Sequence, residues 1–189
     1  MESALIVSIS EKGTSFIREM LNAASIREVA IMKSAGEARR LLLEREFDIV
    51  LVNAPLGDES GESLSRYIAS KGLAQVILVV KSEFFEAVSA VCEEDGVLTV
   101  SKPVNRTVFW SALKLASSAQ KQVKRVQAEN SQLKQKIEDI RIVDRAKCLL
   151  ISYLNVSEQE AHRHIEKQAM DLRTTRRGVA EEIIKMYEN

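Results

Sequence analysis

The chain has 189 residues, 46% of them hydrophobic and 29% charged, which is enough apolar material for a packed core at an ordinary surface charge. No apolar run is long enough to cross a bilayer, the opening MESALIVSIS lacks the basic stretch of a signal peptide, and two cysteines cannot build a disulfide framework; a membrane protein and a disulfide-rich secreted domain are excluded, and a cytoplasmic protein is expected. The net charge of zero divides unevenly, with 13 basic and 16 acidic side chains in residues 1–120 against 14 and 11 in residues 121–189, so an anionic partner is expected at the second half if at either.

In chain order, Ala4–Ile9, Val29–Met32, Ile49–Asn53, Gln75–Val80 and Leu98–Ser101 read as strands. Several are nearly continuous apolar runs, as parallel strands buried on both faces require. Helical patterns lie between them, such as Thr14–Ala24 and Ala35–Glu44, the latter with Ala35, Ala38, Leu41 and Leu42 on one face. This alternation predicts one α/β doubly wound five-stranded parallel sheet over residues 1–115, receiver-like and flavodoxin-like. From Ser111 onward proline is absent and Gly178 is the only glycine, so a long helix follows. Val123, Val126, Asn130, Leu133, Ile137 and Ile140 alternate spacings of three and four along it. That is a heptad seam, with Asn130 at an a position suited to pairing with its own copy in a parallel dimer. The spacing predicts a coiled-coil linker over 116–142 and a homodimer; one helix packed on its own domain is the alternative. Near Leu154 the pattern breaks at Asn155-Val156-Ser157, and Ser157 with Glu160 forms a capping box that opens a second helix. Its apolar face is Ala161, Ile165, Ala169 and Leu172. A turn holding Thr174 and Thr175 leads to a third helix with Val179, Ala180, Ile183, Ile184 and Tyr187 on one side. Leu149, Leu150 and Tyr153 are the expected contribution of the first helix, giving a three-helix module over 143–189.

Phe47–Asn53 and Ser101-Lys102-Pro103 are the landmarks on which the first domain resembles the receiver domain of bacterial response regulators. The resemblance implies an acidic pair after the first strand to hold Mg²⁺, an aspartate ending the third to accept phosphate, a hydroxyl closing the fourth and a lysine ending the fifth. Here those positions read Ser8 and Ile9, Asn53, Val80 and Lys102; only the lysine is kept. A hard divalent cation wants carboxylate oxygens, and an amide is no substitute for a carboxylate nucleophile. Aspartyl phosphorylation is therefore not expected. The domain would serve instead as a dimerisation surface, a docking site for a protein partner, or a sensor of something other than phosphate.

Ala146-Lys147 with Leu149-Leu150, Ser157–Ala161, Ala169-Met170 through Arg173-Thr174-Thr175, and Val179-Ala180 resemble the ANTAR domain, the RNA-binding module of transcription antiterminators. His162 departs from the usual apolar residue at its position. The resemblance implies binding of paired stem-loops in nascent leader RNA, which prevents terminator formation. The residues themselves place Arg173, Arg176 and Arg177 at the start of the third helix, where cations are mildly unfavourable unless an external anion is met. Backbone N–H groups and arginine forks there suit phosphate. Lys147, Arg163, Lys167 and Thr174 are the further candidates for the RNA-binding surface. A solvated basic turn would carry the same residues, and three short helices also describe a DNA-binding helix-turn-helix or a protein-interaction module. No enzyme, cofactor or metal site is expected. Cys148 reads as core, and His162 and His164, two apart on a helix, point to different faces.

Overall fold

The structure is a computed structural model and describes residues 1–188; Asn189, the last residue of the expected three-helix module, lies outside them. The chain divides into two compact units, Met1–Lys124 and a second that begins at Arg125.

The first unit holds β1 (Ser3–Val7), α1 (Glu11–Ala23), β2 (Glu28–Met32), α2 (Ala35–Glu44), β3 (Ile49–Asn53), α3 (Glu62–Ser70), β4 (Gln75–Lys81), α4 (Ser82–Glu93) and β5 (Leu98–Lys102), followed by the first turns of α5 (Arg106–Leu154). All pairings are parallel and the strand order is β2-β1-β3-β4-β5. The expected five-stranded doubly wound sheet is thus present. Side chains alternate across a strand, so each strand feeds both faces. Leu5, Val7, Val50, Val52, Leu78 and Val80 pack on one face with α2 to α4. Ala4, Ile6, Ile49, Leu51, Ile77 and Val79 pack on the other, against Ile17 and Leu21 of α1 and Phe109, Leu113 and Ala116 of α5. Burial on both faces is why these strands read as unbroken apolar runs.

Helix starts are fixed by side chains that accept from orphan backbone N–H groups. Ser10 accepts from Gly13 at 3.2 Å and Ser34 from Glu37 at 3.2 Å. Asp58, from the loop after β3, accepts from Ala35 and Gly36 at 2.8 and 2.9 Å. Those two backbone donors hold its carboxyl below the ordinary value. At the other end of the sheet Asp48 is buried and takes the Lys124 ammonium of α5 at 2.6 Å and the Glu2 N–H at 2.6 Å. Burial alone would raise its pKa, but the lysine and the backbone donors outweigh it and the net shift is downward.

The second unit contains the C-terminal part of α5, then α6 (Glu158–Asp171) and α7 (Arg176–Tyr187). The capping box is formed: Ser157 Oγ accepts from the Glu160 N–H and the Glu160 carboxylate accepts from the Ser157 N–H. Ala146 and Leu150 of α5, Ala161, Ile165 and Ala169 of α6, and Val179, Ala180 and Ile183 of α7 are buried together. Three expectations fail in detail. Leu172 is exposed because α6 ends at Asp171 and the chain turns away there. Tyr153 is exposed and stacks on Tyr187 with ring centroids 4.9 Å apart. Cys148 is exposed as well, off the face that Ala146 and Leu150 present to the core.

Candidate functional site

In the first unit the strand ends at the top of the sheet bring Ser8, Asn53 and Lys102 to one region. Ser8 and Asn53 are buried, and the Asn53 amide donates to Ser8 Oγ at 2.9 Å. Gly13 in the first turn of α1 approaches this amide so closely that a Cβ there would come within 2.3 Å of its nitrogen. The amide is therefore held from both sides by β1 and α1. Lys102 Nζ donates to the carbonyl of Ala54, the residue after Asn53. Burial, and then the neighbouring Lys81, lower its proton affinity. Ile9, in the place of a second acidic residue, is exposed.

Val80 does not belong to this region. It packs with Leu78 and Val52 on the opposite face of the sheet, as strand alternation dictates. The residue of β4 that shares the face of Asn53 and pairs in register with Lys102 is Lys81. Lys81 thus lies beside Lys102 at the strand ends, while Val80 is turned into the core. Serines lie next to these lysines: Ser82 Oγ is 3.2 Å from Ser101 Oγ and also donates to the Lys102 carbonyl.

In the second unit α6 stops at a left-handed residue. Arg173 has φ +50°, and the following Thr174 N–H returns to the Ala169 carbonyl at 3.0 Å, closing the helix end. Thr175 then caps α7, its hydroxyl accepting from the Gly178 N–H at 3.1 Å. At Gly178 a Cβ would lie 2.9 Å from Thr174 Oγ1, so a larger residue there would require the Thr174 side chain to shift. This turn carries Arg173, Thr174, Arg176 and Arg177 together, with Arg176 and Arg177 on the first turn of α7.

The six cations expected at the RNA surface fall into two groups. Lys147 of α5 is half-buried and bound to Asp144 at 2.7 Å and Glu158 at 3.1 Å, which raises its pKa. Arg176 meets Glu166 at 3.2 Å, and the same carboxylate oxygen lies 3.3 Å from His162. Arg177 is held by Glu181 at 2.7 Å and by Asp139 of α5 at 2.8 Å. Asp139, pinned by Arg177 and by Gln135, keeps its carboxyl below the ordinary value. Among the described residues, Arg173 and Lys167 make no ion pair, and Arg163 is exposed on α6 with only the nearby Glu160 charge. No acidic residue lies between Leu172 and Ala180 in the sequence, yet Arg176 and Arg177 both have acidic neighbours. Their partners come from α5, α6 and the next turn of α7. Asp139 and Glu166 were not among the expected site residues, and pairs 38 and 10 residues apart leave no local pattern to find them by.

The seam residues Val123, Val126, Asn130, Leu133, Ile137 and Ile140 lie exposed along α5. Phe109, Ala112 and Ala116, one and two heptads earlier on the same stripe, are buried against the sheet. The apolar stripe thus continues past the surface it packs on.

Comparison with known proteins agrees with both halves. Residues 131–184 match the model of the ANTAR domain. The first unit has the receiver fold. It superposes on the signal receiver domain of an HD domain-containing protein from Pseudomonas fluorescens Pf-5 with a TM-score of 0.56 and 22% identity, covering 65% of this chain and 91% of that one. It also superposes on the response regulatory domain of protein mrkE from Klebsiella pneumoniae with a TM-score of 0.56 and 12% identity, covering 64% and 98%. At these identities the likeness establishes the fold alone. The chain thus joins a unit of receiver fold to a C-terminal stretch that matches the ANTAR domain. Both parts together are matched by the transcriptional regulatory protein PdtaR of Mycobacterium tuberculosis, 25% identical over 169 residues, spanning 89% of this chain and 82% of that protein.

Proposed function

We propose that the chain is a transcription antitermination regulator that binds stem-loops in nascent leader RNA through its C-terminal unit, and thereby prevents terminator formation. The observation that carries this reading is the ANTAR match over residues 131–184, which contains Lys147, Arg163, Lys167, Arg173, Thr174, Arg176 and Arg177. The relative PdtaR is a transcriptional regulatory protein, which favours the same class. RNA stem-loops expose unstacked loop bases that side chains can read, while the phosphates supply charge. The basic turn between α6 and α7 presents arginines whose forks suit those phosphates.

Two further parts belong to this reading. The chain acts as a homodimer through the seam from Val123 to Ile140, which sets two C-terminal units side by side for paired hairpins. The receiver-fold unit does not take a phosphoryl group, since Ser8, Ile9 and Asn53 offer neither carboxylates for Mg²⁺ nor an acceptor. It then serves as a dimerisation surface, a docking site for a protein partner or a sensor of something other than phosphate. No helix among the described residues is long and apolar enough to cross a membrane. We place the protein in the cytoplasm, where nascent transcripts are.

The test is a gel-shift comparison of two-hairpin RNA, single-hairpin RNA and duplex DNA at one fixed salt concentration, because phosphate-driven affinities have meaning only at a stated salt. The two-hairpin RNA should bind tightest. Preference for duplex DNA would instead support a helix-turn-helix reader.

A further inference from the structure

We propose that Asp139 and Glu166 act as carboxylate guards on the RNA-binding arginines, holding Arg177 and Arg176 in the free chain so that RNA phosphates must displace them. This deepens the RNA-binding reading of the C-terminal unit and rests on it.

The geometry behind it is one cleft. Asp139, Ile140 and Val143 of α5 line one side of a hollow of about 380 Å³, with Lys147 further along the helix and Arg176 and Arg177 at the start of α7. Arg177 reaches Asp139 across this hollow at 2.8 Å, and Arg176 reaches Glu166 of α6 at 3.2 Å. The cations are therefore already neutralised in place, by acceptors that come from two other helices. Lys167 and Arg173 carry no such partner among the described residues. The surface thus offers open cations beside guarded ones.

Ion pairs this exposed add little to folding stability, so the guards are displaced at small cost. What displaces them must be a better acceptor. A phosphate takes an arginine fork with two short charge-assisted bonds, and an RNA backbone delivers several phosphates at once. A lone anion gains only one contact, which the carboxylate already makes. The guards therefore lower affinity for every anion by a similar step, and only a ligand that engages the open and guarded cations together recovers it. The carboxylates face the cleft from α5 and α6, and Glu181 on α7 holds Arg177 on its other side at 2.7 Å. Arg177 thus stays oriented when Asp139 is displaced.

The experiment measures affinity of the full chain for a two-hairpin RNA at fixed salt. It compares the unmodified protein, Asp139→Asn, Arg177→Ala and the double variant. Glu138→Gln, which removes the same charge one residue away from a pair with Arg141, controls for long-range attraction. Circular dichroism confirms that each variant keeps its helices. Asp139→Asn should bind about two- to fivefold tighter, more than Glu138→Gln does, and the gain should vanish when Arg177 is alanine. Glu166→Gln should act in the same direction through Arg176. Unchanged or weaker binding by Asp139→Asn, or a gain that survives in the Arg177→Ala background, overturns the guard while leaving RNA binding intact. Failure of both the unmodified chain and Asp139→Asn to bind the RNA overturns the RNA reading and the guard with it.

Discussion

Arg173 occupies a left-handed position that glycine tolerates and arginine does not favour. A long cation thus stands where the backbone conformation favours glycine, and the proposed RNA contact gives a reason for it to be tested. Arg173→Gly should leave the second unit as stable or up to about 1 kcal/mol more stable by thermal unfolding. The same variant should bind hairpin RNA more weakly. A loss of stability would mean the side chain serves the fold instead. At the top of the sheet, Asn53 is bonded to Ser8 and packed against Gly13. Asn53→Asp should therefore remain unlabelled by a small phosphodonor in Mg²⁺, because Ser8 and Ile9 still supply no carboxylate to the metal. Incorporated phosphate in that variant would show the pocket to be more complete than its residues suggest. Asp48 gives a pH prediction. Its folded pKa lies below the ordinary 3.8, so its contribution is fully present above that value and is lost as pH falls through the lower folded pKa. Asp48→Asn should cost about 1 kcal/mol at neutral pH, discounted for the exposure of Lys124, and should flatten the acid limb of the first unit's stability curve.

At the scale of elements, α5 holds the most information. Its stripe is buried at Phe109, Ala112 and Ala116 and then runs on, exposed, from Val123 to Ile140. A dimer seam would cover it. Asn130 at an a position favours two strands in register at a cost in stability. Asn130→Ile should tighten association and populate larger oligomers in sedimentation experiments. A purely monomeric variant would argue against the seam. The capping box of α6 is a local device of known size. Ser157→Ala should destabilise the second unit by about 1 kcal/mol in denaturant titration. This box, the strands and the break at Asn155 were all legible in the sequence, since each is written in adjacent residues or in one periodicity. The end of β4 was not: Val80 and Lys81 differ by one place, and only the register with Lys102 shows which of them shares the face of Asn53. Leu172 and Tyr153 were misplaced for a related reason. Helical spacing marks an apolar face but not the residue at which the helix stops or the width of the neighbour that covers it.

For the whole molecule, the order of parts was readable because each has its own pattern: continuous apolar strands, a heptad stripe, then short amphipathic helices. The electrostatic state of the C-terminal unit was not. Its basic turn reads as unopposed along the chain, yet Asp139, Glu166 and Glu181 neutralise two of its arginines through contacts made only by folding. With a receiver fold in its first unit, an ANTAR match in its second and the seam proposed along α5, the chain should show a definite stoichiometry. Light scattering on the size-separated complex of the full chain with two-hairpin RNA should give two chains per RNA, and a dimer in the absence of RNA. One chain per two-hairpin RNA, or a chain that stays monomeric and leaves the RNA free, would contradict it.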